Sequence, residues 1–246
     1  MLLGAVVRIG GFQRVSLIDY PGKITSIVFL QGCNMRCPFC HNSELVFSNT
    51  MNVGLYDEEM VLRKIEESKG FVEAVEITGG EPTLQKGLAH FIRRCKELGF
   101  LVKLDTNGSD PDAVRMLLNE KLIDYVAMDI KAPLNAERYR TATGTQNDTM
   151  AGKIGQTATL LIGSDIDYEF RTTVVPGIVE VDDLIKIAGS VKGARAYYLQ
   201  QFTPTHSLDP AFRTVKPYDS AKLRAAKDAI ENLCLVRKCE IREVGT

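Results

Sequence analysis

The chain has 246 residues, 45% of them apolar, with 30 Lys and Arg against 31 Asp and Glu. That balance leaves no electrostatic footprint for nucleic acid or an anionic membrane, and a core of this size needs no disulfides. No apolar stretch approaches bilayer-spanning length, and the apolar start, Met1 to Val7, lacks a basic n-region and a small-residue cleavage site, so a cytoplasmic protein is expected.

Short β-branched runs alternate with amphipathic stretches along the chain. Ile24 to Leu30 is predicted as the first strand. Ser43 to Tyr56 follows as a polar loop, and Asp57 to Ser68 as a helix with Asp57 as its N-cap. Val75 to Thr78 is a second strand, and Leu84 to Leu98 a helix ended by Gly99. Leu101 to Asp105 and its helix Asp112 to Glu120 come next, then a fourth strand, Tyr125 to Ile130, and a weaker helix, Met150 to Ile162. Asp167 to Val175 and Ala196 to Phe202 are the last two strands, followed by helices Asp182 to Ser190 and Ser220 to Leu233 respectively. Six βα units predict an α/β fold, a partial (β/α)6 TIM-type barrel of parallel strands, in one domain over residues 1–246.

In such folds ligand chemistry sits on loops after the strand C-termini. The unusual polar motifs all fall there: Cys33, Cys37 and Cys40 after the first strand, and Gly79-Gly80-Glu81-Pro82 after the second. Asp105-Thr106-Asn107-Gly108 follows the third, and Asp129-Ile130-Lys131 closes the fourth. Three thiolates can hold three irons of a cubane cluster and leave the fourth iron open to a small molecule. The competing ion is zinc, but structural zinc takes four N or S ligands, and only His41 stands near enough to be a fourth, directly after Cys40. Cys95, Cys234 and Cys239 are scattered and read as structural, and His90 and His206 as incidental.

The paired glycines let the backbone approach a ligand, and Glu81 can accept a hydrogen bond from an ammonium group; an ordinary βα turn with a solvated Glu accounts for them equally well. Asp105, Thr106 and Asn107 need partners at the end of a buried strand, although Asn107-Gly108 is also a common turn pair. Alternation puts Asp129 and Lys131 on one face, either as a ligand contact or as a surface ion pair. Arg171, within the fifth strand, faces either a ligand carboxylate or the outer surface.

The run Cys33-Asn34-Met35-Arg36-Cys37-Pro38-Phe39-Cys40 and the Gly79 to Pro82 motif resemble the radical S-adenosylmethionine (SAM) superfamily. Asp19-Tyr20-Pro21-Gly22, His41-Asn42, Asp105 to Gly108, Asp129 to Lys131, and Arg171 ahead of Val174 to Gly177 are similar to its activators of glycyl radical enzymes. The resemblance implies a 4Fe–4S cluster on Cys33, Cys37 and Cys40, with SAM on the open iron. It further implies Phe39 beside the adenine, Gly79, Gly80 and Glu81 on the methionine ammonium, and Thr106, Asn107, Asp129, Lys131 and Arg171 along the ribose and carboxylate. Asp105 and Asp129 would share a monovalent cation with the SAM carboxylate, and Asp19 and Arg171 would hold the target's glycine loop.

The implied partners are a glycyl radical enzyme and a flavodoxin or ferredoxin electron donor. Pyruvate formate-lyase activators carry a histidine where Gln200-Gln201-Phe202 stands, and the short Cys40 to Asp57 interval leaves no inserted ferredoxin-like domain. Both departures favour anaerobic ribonucleoside-triphosphate reductase over pyruvate formate-lyase as the target. Two other readings stand beside this one: a radical SAM enzyme acting on a small heterocycle, and a zinc or iron–sulfur protein without catalysis.

Overall fold

The computed structural model describes residues 6–47 and 55–242. Much of the Ser43 to Tyr56 loop and of the apolar start therefore lies outside the described residues. Among the described residues, eight strands form one sheet in chain order: β1 (Ile9–Tyr20), β2 (Lys23–Leu30), β3 (Ala74–Gly79), β4 (Leu101–Thr106), β5 (Tyr125–Asp129), β6 (Asp167–Val174), β7 (Tyr197–Gln201) and β8 (Cys239–Arg242). Among the described residues, seven α-helices join them: α1 (Glu58–Glu66), α2 (Leu88–Glu97), α3 (Pro111–Asn119), α4 (Ala136–Thr143), α5 (Met150–Ile162), α6 (Val181–Ser190) and α7 (Ser220–Asn232). The six expected βα units run from β2 to α7, and the strand order equals the chain order, as in wound βα folds.

Four elements differ from the sequence expectation. The first strand is β1, antiparallel to β2, with register irregularities between Ile9 and Gly11 and between Gln13 and Tyr20. Those irregularities break the alternation that would mark a strand, and most of its side chains are at least partly exposed. β8 has only four residues, and α4 carries a largely polar sequence, so neither produces a clear period. The helix expected from Leu84 begins at Leu88, because Pro82–Leu84 forms a short 3-10 turn.

Two compact units emerge. The first comprises residues 1–34, 44–106 and 112–126, and the second residues 35–43, 107–111 and 127–246. In the first, β2, β3 and β4 are parallel neighbours whose apolar residues Val28, Leu30, Ile77, Val102 and Leu104 are buried. Helix α1 buries Val61, Leu62 and Ile65, and α2 buries Phe91, Ile92 and Cys95. The Asp57 side chain accepts from the Met60 amide, which confirms it as N-cap, and Gly99 takes positive φ beyond α2. In the second unit β6, β7 and β8 run parallel over a core of Phe170, Tyr197, Leu199, Ile154, Leu184 and Ile230.

Candidate functional site

The turn after β3 lies directly on the turn after β2. Gly80 and Glu81 donate their amides to the carbonyls of Leu30 and Gly32, both at 2.8 Å. A Cβ on Gly80 would stand 2.1 Å from the Gly32 oxygen, and Gly79 adopts φ +119° with Leu30 backbone atoms 2.4 Å from its missing Cβ. Only glycine fits at both positions. This approach seats the loop bearing Cys33, whose amide donates to Val46 at 3.0 Å.

Glu81 is fully buried. One carboxylate oxygen accepts from the Thr83 amide and hydroxyl and from the Thr106 hydroxyl at 2.7 Å. Thr106, an expected site residue, is thus the clamp on another of them, and Thr83 is a partner that no motif marks. Glu81 is therefore no solvated turn residue.

Two further charges in the first unit escaped the sequence reading. Glu76 on β3 and Lys103 on β4 are buried and stand opposite each other in the parallel register. The Lys103 Nζ lies 3.0 Å from Glu76 and 2.7 Å from Asp105, so one buried cation bridges two carboxyl groups. Burial pushes the Glu76 carboxyl well above the ordinary carboxylate range, the Asp105 carboxylate adds to the rise, and Lys103 offsets part of it. Their signal was available: Lys103 and Asp105 alternate within an otherwise apolar run, as does Glu76. Asp19, half-buried at the end of β1, accepts from the Ser16 hydroxyl.

The second unit carries Cys37, Phe39 and Cys40 on a loop fixed to its neighbours: Arg36 donates to the Thr143 carbonyl at 2.6 Å and Asp209 to Pro38 at 2.9 Å. The Cys40 amide donates to the Cys37 carbonyl at 3.1 Å, and Phe39 is buried. Burial raises the Cys40 pKa, while the Lys131 ammonium works in the opposite direction. Lys131 feels both Cys37 and Cys40, so a fixed cation stands beside two of the three thiols. None of the three is in a disulfide. Among the described residues no three His, Cys, Asp or Glu side chains form a metal-holding group on their own. His41, the alternative zinc ligand, is exposed.

Asp129 and Lys131 pair at 3.2 Å, and Arg171 donates to Asp129 at 2.8 Å. Burial favours the neutral Asp129 acid, but Arg171 and Lys131 outweigh it and hold the carboxyl at about 2. Arg171 is 11% exposed, which excludes the outer-surface alternative. Behind it, Glu169 lies 4.0 Å from Arg171 and takes a two-point contact from Arg242, at 2.8 and 3.0 Å. Arg242 in turn stacks on the Tyr198 ring, 4.0 Å from its centroid. Lys131, Asp129, Arg171, Glu169 and Arg242 thus form a run of alternating charges. Asn107 is buried, and its side chain accepts from the Ser109 amide at 2.9 Å, so the turn reading of Asn107-Gly108 holds locally. Gln201 donates its amide to the Tyr218 carbonyl at 2.9 Å. Burial raises the thiols of Cys95 and Cys239 to about 12, as expected of inert core residues.

The model of the radical SAM superfamily matches residues 27–153. The chain is 34% identical over 232 residues to a candidate glycyl-radical enzyme activating enzyme of Methanocaldococcus jannaschii, covering 92% of this chain and 95% of the relative. It is 30% identical over 212 residues to the pyruvate formate-lyase-activating enzyme of Clostridium pasteurianum, covering 82% and 83%. A radical SAM methyltransferase from Sphaerobacter thermophilus shares the fold, with TM-score 0.72 and 15% identity over 94% of this chain and 69% of that one. SuiB of Streptococcus suis, bound to S-adenosylmethionine, does so with TM-score 0.64 and 15% identity over 87% of this chain; the chain spans about half of its length (48%).

Two outcomes follow from this geometry. Gly80→Ala is expected to cost about 1–3 kcal/mol in urea unfolding, because backbone must move. Gly152→Ala, in α5 with nothing near its Cβ, is expected to stabilise by about 0.5–1 kcal/mol; equal effects would contradict the close approach. Glu76, with its folded pKa raised, contributes most below the ordinary carboxylate range and loses that contribution as pH rises through the elevated value. Between about pH 5 and about pH 8 the wild type should lose more stability than Glu76→Gln. Parallel profiles would place Glu76 in water.

Proposed function

Because this chain belongs to the radical SAM superfamily and, within it, to the glycyl-radical enzyme activating family, we propose that it abstracts a hydrogen atom from a glycine Cα of anaerobic ribonucleoside-triphosphate reductase. The observation that carries the reading is the seating of the Gly79-Gly80-Glu81 turn against the Cys33 loop through two backbone hydrogen bonds. It holds the glycine turn against the loop that bears the first of three cysteines outside any disulfide, a soft donor set suited to iron–sulfur. When bound, a 4Fe–4S cluster and SAM supply one-electron cleavage of SAM to methionine and a hydrogen-abstracting 5′-deoxyadenosyl radical.

The chain's own residues do the holding. Cys33, Cys37 and Cys40 would ligate the cluster, with the Lys131 charge favouring the thiolate of Cys40. Gly79 and Gly80 would present their turn to the methionine ammonium, and Glu81, immobilised by Thr83 and Thr106, would take it. Phe39 would flank the adenine. Asn107, Asp129, Lys131 and Arg171 would line the ribose and carboxylate, and ion pairs fix the last three before anything binds, so little reorganisation of them accompanies binding. Asp19 and Arg171 would meet the backbone of the partner's glycine loop. The two compact units serve as one radical SAM domain over residues 1–246 in this reading, since the Cys33 to Cys40 segment itself runs from one into the other. A cytoplasmic site of action, with a flavodoxin or ferredoxin as reductant, fits the chemistry, and no described helix is long and apolar enough to cross a membrane.

A second target is pyruvate formate-lyase, which the similarity to the Clostridium pasteurianum enzyme supports. Against it stands Gln201, tied to the Tyr218 carbonyl where such activators carry a histidine. The discriminating experiment is anaerobic incubation of the reconstituted protein with SAM, reductant and each partner, followed by electron paramagnetic resonance. A glycyl radical doublet on the reductase and none on the lyase is expected. A doublet on the lyase alone would reassign the target.

A further inference from the structure

We infer that Lys103 takes the place of a metal cation at Asp105, so that this protein works without added potassium or sodium. The inference depends on the radical SAM reading only for what Asp105 would otherwise hold. The family resemblance assigns a monovalent cation to Asp105 and Asp129, and the residues present do not fit one. The Lys103 Nζ stands 2.7 Å from the Asp105 carboxylate and 3.0 Å from Glu76, and its side chain is 2% exposed. An ammonium group is a compact, singly charged centre, close in size and charge to potassium. Both distances are those at which a monovalent cation sits against carboxyl oxygens.

The position of Lys103 is fixed by the sheet rather than by a mobile loop. It sits in the middle of β4, opposite Glu76 of β3 and flanked by the buried Val102 and Leu104. Its stem has no route to solvent, so its charge must be neutralised where it is. Asp105 does so at 2.7 Å, and the Glu76 carboxyl, held largely protonated by burial, supplies a polar oxygen at 3.0 Å. Asp129 carries its own fixed cations, Arg171 at 2.8 Å and Lys131 at 3.2 Å. A metal ion added at either carboxylate would meet like charge already in place.

The test compares potassium chloride with tetramethylammonium chloride at equal ionic strength, the second cation being too large to enter a carboxylate site. For the wild type, the melting temperature of the protein without SAM and the rate of reductive SAM cleavage should each be the same in the two salts, the rates within about 1.5-fold. Thallium(I), a potassium mimic read by its own magnetic resonance, should show no saturable binding. In Glu76→Gln/Lys103→Met, which removes the ammonium and one of its two carboxyl groups, Asp105 lacks its cation. That variant should gain a saturable rise in melting temperature with potassium and bind thallium. Saturable potassium dependence or thallium binding in the wild type would overturn the inference, whether or not the variant folds. A folded double variant that gains no cation dependence would overturn it as well. The melting and thallium measurements need no catalysis, so failure of SAM cleavage would count against the proposed function and leave this inference standing.

Discussion

Everything at the first half of the candidate site hangs on one close approach of backbone to backbone. The exits of β2 and β3 touch through Gly80 and Gly32, a contact that any side chain at Gly80 would destroy. Two amide-to-carbonyl bonds lock the approach, and the parallel register of β2 with β3, which runs to Leu30 opposite Gly79, delivers both strand ends at the same height. From that contact follow the seating of the Cys33 loop and the burial of Glu81, and with the burial comes the need for the Thr83 and Thr106 hydroxyls that satisfy it. The cysteine and glycine motifs are thus two sides of one packing requirement, although 45 residues of chain lie between Cys33 and Gly79.

A second requirement governs the charges. A charged group held away from water is tolerable only beside its opposite, and each unit meets this with its own chain of ion pairs. Glu76, Lys103 and Asp105 form one; Lys131, Asp129, Arg171, Glu169 and Arg242 form the other. Such networks cost folding energy, which is why they are uncommon in strands that serve packing alone. Their yield is orientation: Arg171 and Asp129 are held from two sides before any ligand arrives, the preorganisation that a site handling a zwitterion needs.

Much of this was legible in the sequence because it is written in local period and local chemistry. Helix α5 begins and ends where the apolar pattern put it, Asp57 caps α1 through the expected side-chain bond, and every strand from β2 to β7 was located. What escaped has a physical cause. β1 is irregular and mostly exposed, so its apolar residues do not alternate cleanly, and Leu17 and Ile18 point outward. Glu76, Lys103 and Glu169 carry no local mark, because one charge inside an apolar run looks the same whether it faces water or a partner on another strand. Only the register distinguishes these cases: Glu76 and Lys103 are 27 positions apart in sequence and direct neighbours in the sheet. The long-range pairing of strands decides what a buried charge meets, and no window of sequence contains it.

The central claim is that three cysteines and a glycine turn serve one-electron cleavage of SAM, and product analysis tests it most directly. The protein would be reconstituted anaerobically with iron and sulfide, reduced with dithionite and given SAM, with 5′-deoxyadenosine followed by chromatography beside a Cys37→Ala control. Formation of 5′-deoxyadenosine by the wild type and not by the variant is the predicted result. A wild-type protein with a spectroscopically intact cluster and no product would contradict the account, and a protein that retains one zinc and no acid-labile sulfide would replace it with a binding role.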